Sequence, residues 1–233
     1  MQIVILCGGL ATRLYPLTKK ISKSMIKIEG RPFLEHQLDL LKKNKIKNIL
    51  LCIGCKGEQI KKYFGNGKKF GVKIRYSREK KKLLGTGGAL KKAEKLLEDN
   101  FLIMWGDSYL PLDFQKAIKF FKKFNKFGLM TVYKNCDKYE PSNGEVEGNL
   151  VKVYSKKRKT KKMKYIDYGV SIFKKEALKF IPKNKVYDLS KLNQLLVREK
   201  QLLAFPVRKR FYQVGTFEGI EEFRRYIKNK MMD

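Results

Sequence analysis

The sequence predicts an α/β fold in three layers, a mostly parallel mixed sheet with helices on both faces, and three observations predict it. Apolar runs short enough to be buried strands alternate with amphipathic stretches at helical spacing. Three such units fall within about 105 residues, the layout of a doubly wound, Rossmann-like sheet. Several of the loops that leave these strands are rich in glycine, as expected where backbone must approach a ligand closely.

The elements follow in order. A strand at 2–6 (QIVIL) runs into a glycine loop, and a helix at 31–44 carries Leu34, Leu38 and Leu41 on one face. Next come a strand at 48–54, a helix at 57–65, a strand at 72–77, a helix at 86–99 and a strand at 101–107. Beyond Asp107 the pattern loosens: a helix at 113–125 with Asp113 placed to cap it, a strand at 128–134, and a turn-rich stretch at PSNGEVEGN. Strands at 150–155 and 165–173, helices at 174–181 and 189–199, a strand at 202–207 and a helix at 216–230 complete the chain. No linker biased to Pro, Gly or Ser divides it and no repeat is present. The expectation is one domain over 1–233, in two parts, 1–112 and a more variable 113–233.

With 233 residues, 43% hydrophobic and 12% aromatic, the chain can bury a core and is far from a disordered composition. Its charge is unusual: 54 basic against 22 acidic residues give +32. Only ten of the basic residues are Arg, and Lys is a hydrated point charge poorly suited to reading base edges, so the lysines read as solvated surface that also attracts anions, and no specific nucleic-acid partner is expected. Of the four cysteines (7, 52, 55 and 136), Cys52 and Cys55 form a C-x-x-C. Without a second pair, and with His36 the sole histidine, core thiols are the first reading and a metal or redox role the alternative. Free thiols, with neither a secretory segment nor an apolar stretch of membrane length, predict a cytoplasmic protein that binds no membrane. His36 has no nearby ligand or nucleophile and reads as packing or surface.

Chemistry should sit at the carboxyl ends of the strands, where ligands collect in open α/β sheets. In GGLATR, Gly8 and Gly9 allow successive N–H groups to curl around an anion, Arg13 adds a permanent forked cation, and Lys23 offers a second. The spacing fits neither a P-loop nor G-x-G-x-x-G, so a tight turn stays open beside phosphate binding. In LLGTGGAL (83–90) two readings also stay open: backbone close to a base or ribose, or a helix cap with a tight turn. Asp107 ends an apolar strand where an unpaired carboxylate is costly, and a metal that bridges phosphates is the economical partner.

These stretches, GGLATRLYPLT, SKSMIKIEGRPFLEHQL, LLGTGGAL and WGDSYL, together resemble the sugar-1-phosphate nucleotidyltransferases, the nucleotide-sugar pyrophosphorylases. The likeness is strong over 1–112 and looser beyond, and it is closest to short enzymes like the heptose- and mannose-1-phosphate guanylyltransferases. It implies the nucleotide-diphospho-sugar transferase type of fold, with no room for the β-helix domain of longer members, and synthesis of an NDP-sugar from an NTP, GTP favoured, and a sugar 1-phosphate, feeding surface polysaccharide. It implies a nucleotide cradle of Leu6, Gly8, Gly9, Ala11, Thr12 and Arg13, with Arg13 on the departing pyrophosphate and Lys23 near the reacting centre. Gly85, Gly87 and Gly88 would line the base and ribose, and Asp107 would hold Mg²⁺. Glu145, Lys156, Asp167 and Gly169 would receive the sugar phosphate.

Three departures from the family's usual pattern stand out. Ala11 replaces a glycine, which requires a negative φ at that residue. Ser22 replaces a proline before Lys23, which loosens the turn. Gln213 occupies the usual place of a second metal-binding Asp, and is a weaker ligand. That last change keeps a non-catalytic nucleotide sensor as the alternative, with a basic nucleic-acid binder behind it. Oligomeric state is not indicated.

Overall fold

A computed structural model describes residues 1–54, 56–79 and 82–232, with the side chains of 231 and 232 left aside. The chain forms two compact units that interleave along the sequence. Gln2–Leu83, Met104–Leu110 and Phe211–Asp233 make an amino-terminal unit; Leu84–Ile103 and Pro111–Arg210, with Met1, make a central unit.

In the amino-terminal unit the strands Lys73–Arg78, Asn48–Ile53 and Gln2–Cys7 lie side by side in that order, all parallel, with Ile3 opposite Ile49 and Ile49 opposite Ile74. Gln2–Cys7 and Asn48–Ile53 read as Val, Ile and Leu runs because both faces are covered: Ile3, Val4, Ile5, Leu50 and Leu51 have no exposed surface. Helices Phe33–Lys43, Gly57–Phe64 and Phe217–Met232 supply the cover. Phe33 meets Phe223 edge-on at 5.1 Å, an arrangement that adds to plain area burial. Antiparallel pairs too short to read from sequence, Ser108–Tyr109 with Tyr212–Gln213 and Lys27–Ile28 with Arg31–Pro32, fix the loops beyond the strands.

In the central unit the strand order is Asn100–Trp105, Tyr165–Lys174, Gly128–Lys134, Leu202–Val207, Leu150–Tyr154, Gly144–Glu147. Only Gly128–Lys134 with Leu202–Val207 is a parallel pair among those whose register is given; Tyr165–Lys174 runs antiparallel to Gly128–Lys134. The turn-rich PSNGEVEGN stretch contains the strand Gly144–Glu147, and the stretch expected as a helix at 174–181 is the 3₁₀ segment Lys175–Phe180. Asp113 caps helix Phe114–Lys122 by accepting from Lys116 N at 3.0 Å, and Asp188 caps Leu189–Arg198 through Ser190 N at 2.7 Å. Among the described residues no helix is long and apolar enough to cross a membrane.

Candidate active site

The glycine loop after Gln2–Cys7 is built by close backbone approach on one side and openness on the other. A Cβ on Gly54 would stand 2.4 Å from the Gly8 carbonyl oxygen, and a Cβ on Gly8 would stand 3.0 Å from Glu79 Oε2. Glycine at both places lets two strand ends and a buried carboxylate share one spot. A Cβ on Gly9 would meet nothing within 4 Å. The expectation that Ala11 keeps a negative φ is wrong: it is left-handed at φ 56, ψ 42. Its carbonyl accepts from Thr18 Oγ1 at 2.7 Å and Leu14 N at 3.1 Å, contacts that hold a conformation alanine disfavours. A left-handed residue followed by the 3₁₀ turn Thr12–Leu14 is the alternation that aims successive N–H groups to one side. Thr12 and Arg13 are exposed, and the Leu6 carbonyl accepts from Gly106 N at 3.1 Å, which fixes the turn into Asp107.

Asp107, expected to answer a metal ion, has a partner within the chain. Its Oδ2 accepts from Lys23 Nζ at 2.8 Å, with the two side chains 30% and 17% exposed, and Ser108 Oγ lies 3.2 Å from Oδ1. The cation answering the charge in this state is therefore a lysine ammonium. An ammonium has three donors, so Lys23 retains N–H groups for a phosphate while it holds Asp107. Nor does Ser22 loosen the turn: its φ of −67 is one proline would adopt, and its N–H donates to Gln59 Oε1 at 3.0 Å. Gln59 Nε2 in turn donates to the Lys20 carbonyl at 2.8 Å, so one amide on helix Gly57–Phe64 clasps the segment before Lys23.

Gln213 pairs opposite Ser108, and Val214 N donates to the Asp107 carbonyl at 2.9 Å, which brings the carboxy-terminal segment to the acidic turn. The point a Cβ on Gly215 would occupy lies 3.3 Å from both Arg13 Nη2 and Gln213 Oε1. Arg13, Lys23, Asp107 and Gln213 thus gather within the amino-terminal unit. Among the described residues no group of three or more His, Cys, Asp or Glu is placed to hold a metal. One carboxylate and one amide oxygen suit a hard cation that arrives with substrate phosphates and do not make a preformed cage.

The second glycine loop is spent differently. Gly87 N and Gly88 N both donate to the Tyr187 carbonyl, at 2.9 and 3.1 Å, and Leu189 N donates to Thr86 Oγ1 at 2.8 Å. A Cβ on Gly87 would stand 2.7 Å from the Tyr187 ring and one on Gly88 2.7 Å from the Lys185 carbonyl. Close packing on 185–187 by itself requires these glycines. Gly85, at φ 72, is exposed.

Also in the central unit, the pairing of Tyr165–Lys174 with Gly128–Lys134 slips between Asp167 and Ser171, and such bulges re-aim side chains. Within it Gly169 has φ 105 and its N–H donates to Asp167 Oδ1 at 3.0 Å. Tyr154 OH lies 3.4 Å from Asp167 Oδ2. Burial raises the Asp167 carboxyl, opposed by the charge of Lys156, the Gly169 N–H and the Tyr154 hydroxyl. Lys156 is exposed, and Glu145 accepts from Thr160 Oγ1.

Other sequence candidates are absorbed into the core. His36 is 6% exposed, bonds the Ile28 carbonyl and meets Phe223 edge-on, and burial lowers its imidazole. Cys52 is buried and burial pushes the Cys7 thiol up to about 12, whereas Cys136 is exposed, against the expectation of a core thiol, and Cys55 lies outside the described residues. Neither Gly54 nor Glu79 was singled out from sequence. The signal for them was a glycine inside the C-x-x-C and an acid at the end of a basic strand, and both are ordinary until the fold brings them to Gly8.

Residues 2–230 match the family described as nucleotidyl transferase. The chain belongs to that family. Over 142 residues it is 39% identical to the D-glycero-alpha-D-manno-heptose 1-phosphate guanylyltransferase of Campylobacter jejuni, covering 57% of this chain and 63% of that protein. Over 205 residues it is 30% identical to a UTP–glucose-1-phosphate uridylyltransferase of Synechocystis, covering 81% of this chain and 53% of that one. The chain thus spans roughly half to two thirds of the length of these curated relatives. The crystal structure of HddC from Yersinia pseudotuberculosis complexed with GMP-PN has a TM-score of 0.76 at 25% identity, over 97% of this chain and 99% of that one. Enzymes of the family generally use a divalent metal.

Proposed function

We propose that this protein transfers a nucleotidyl group from an NTP to a sugar 1-phosphate, forming an NDP-sugar and pyrophosphate. The observation that carries the reading is the gathering of Arg13, Lys23 and Asp107 around a glycine loop with one open side. A sugar-phosphate oxygen attacks the α-phosphorus, the bond from that phosphorus to the β-phosphate oxygen breaks, and pyrophosphate leaves with the electron pair. A phosphate monoester is already largely ionised at neutral pH, so no general base is required, in keeping with a single buried, satisfied histidine. What remains is to position two polyanions and neutralise them.

Arg13 holds the departing pyrophosphate through its fork, and the N–H groups of the Ala11–Thr12 turn bind non-bridging oxygens. Lys23 keeps Asp107 with one donor and takes a phosphate oxygen with another. Asp107 and Gln213 supply the oxygens that would hold Mg²⁺, whose contribution when bound is charge neutralisation on the phosphates. In the central unit Asp167, Gly169, Glu145 and Lys156 receive the sugar phosphate, and Gly85 offers exposed backbone to the ribose or base.

GTP is the favoured donor. Glu79 places a carboxylate, which only accepts, against Gly8; guanine is the base with two adjacent donors, N1–H and the N2 amino group, on its pairing edge. The guanylyltransferase relative and the GMP-PN complex agree with that choice.

The direct test incubates the protein with Mg²⁺, each of five NTPs and a panel of sugar 1-phosphates, following pyrophosphate; release confined to GTP is expected, and none with any pair overturns the assignment. Glu79→Gln should erode the preference for GTP. Gln213 supports a second reading, a nucleotide sensor that has lost turnover. Gln213→Asp separates the two: little change marks a competent enzyme, and a large gain from near zero marks the sensor.

A further inference from the structure

In the central unit a cavity of about 870 Å³ lies against strand Leu150–Tyr154 and helix Leu189–Arg198, within the size range of small-molecule sites. The helix is amphipathic. Leu189, Leu192 and Leu196 are buried in the core, while Lys191, Leu195 and Arg198, at helical spacing, line the cavity. Lys152 adds a third cation from the strand, and Phe180 and Tyr187 add aromatic surface. Lys152 shares its charge with Glu147 and Lys191 acts partly on Asp188, so Arg198 is the cation best placed to act on a guest, with Lys191 about two helical turns away on the same face. Lys191 Nζ stands 5.7 Å from the Tyr187 ring centroid. The charge of Arg198 also reaches that tyrosine, where it opposes the upward push of burial on the phenol. Apolar and aromatic walls below two permanent cations match a guest that has a ring at one end and a dianion at the other.

The walls also connect to residues already described. Tyr187 N donates to the Leu84 carbonyl at 2.8 Å while its own carbonyl takes the Gly87 and Gly88 N–H groups, so Tyr187 is tied in both directions to the start of helix Gly85–Lys92. Tyr154, on the opposite wall, reaches Asp167 through its hydroxyl and is hydrogen-bonded to Asn193. Asn193 is 1% exposed, and among the described residues its Oδ1 has no hydrogen-bond partner. A polar atom left unsatisfied in a buried cluster has room to re-pair when its neighbours move.

We propose that this cavity is a second binding site, distinct from the nucleotide loop, for a small phosphate ester that carries a ring, and that its occupancy is passed through Tyr187 to Gly87 and Gly88. The site itself stands apart from the proposed reaction; only the consequence for sugar-phosphate turnover rests on that reading.

Phenyl phosphate is the minimal probe, with inorganic phosphate beside it. Glycine-labelled protein is titrated with each and followed by amide NMR, with and without saturating GTP. Expected are saturable binding of phenyl phosphate, tighter than that of phosphate, movement of the Gly87 and Gly88 amide signals, and no competition by GTP. Lys191→Ala combined with Arg198→Ala, both exposed positions, should weaken binding at least about tenfold while the spectrum stays folded. Arg13→Ala should leave it unchanged. Absence of saturable binding, equal affinity for inorganic phosphate, displacement by GTP, or undiminished binding to the double variant each overturns the proposal. Pyrophosphate release by the double variant without probe should match the parent, which keeps failure of this site apart from failure of the enzymatic reading.

Discussion

The two glycine loops look alike in sequence and are built for different ends. GGLATR uses glycine at Gly8 because Gly54 and Glu79 crowd one side, while Gly9 faces open space and the left-handed residue is an alanine. LLGTGG turns its glycine N–H groups onto the Tyr187 carbonyl and packs so tightly on 185–187 that side chains are excluded. A glycine-rich strand exit therefore has two physical meanings, backbone left open on one side and backbone packed on backbone, and composition does not separate them.

Substitutions can break or sharpen that contrast. The largest effect is expected at Arg13→Ala, which on the proposed reading should lower turnover by roughly 10²–10³ with an unchanged melting temperature, since Arg13 is exposed and contributes little packing. Normal pyrophosphate release would place the phosphate contact elsewhere. Next, Gly88→Ala should cost about 1–3 kcal/mol, because the new methyl meets the Lys185 carbonyl. Gly9→Ala should change stability by less than about 0.5 kcal/mol. Thermal unfolding of the pair decides the matter, and equal melting temperatures would dissolve the distinction between the loops.

A smaller effect belongs to Asp167. Burial raises its carboxyl, so between the ordinary carboxylate range and the raised value the folded chain keeps a proton that the unfolded chain has released. Stability then falls as pH rises through that window. Asp167→Asn removes the dependence: it should stabilise the fold at pH 7 and leave it unchanged at the acid end, as read from unfolding curves at several pH values. The smallest effect is Ala11→Gly, expected to stabilise by about 0.5–1 kcal/mol by relieving a left-handed alanine. A loss of stability there would mean that the Thr18 contact, and not backbone preference, governs the loop.

Much of the frame was legible because its signals are local. The β-branched and leucine runs at 2–6, 48–54 and 128–134 are strands, the leucine spacing at 34, 38 and 41 is a helix face, and Asp113 is a cap. Arg13, Lys23 and Asp107 were legible as charged residues at strand exits. What escaped depends on residues brought together from distant parts of the chain. The Tyr187 carbonyl that accepts from Gly87 and Gly88 is 100 residues further along, Glu79 reaches Gly8 only once their parallel strands align, and Lys23 meets Asp107 across 84 positions. The strand Gly144–Glu147 was hidden because turn-forming residues surround it.

The amide of Gln59 has an evolutionary corollary. A proline in place of Ser22 has no N–H to give, so a chain that carries proline there has lost half the reason to keep glutamine on the neighbouring helix. Positions 22 and 59 should drift as a linked pair among related proteins, serine with glutamine and proline with almost anything, and the aim of Lys23 would be inherited through an amide on another element.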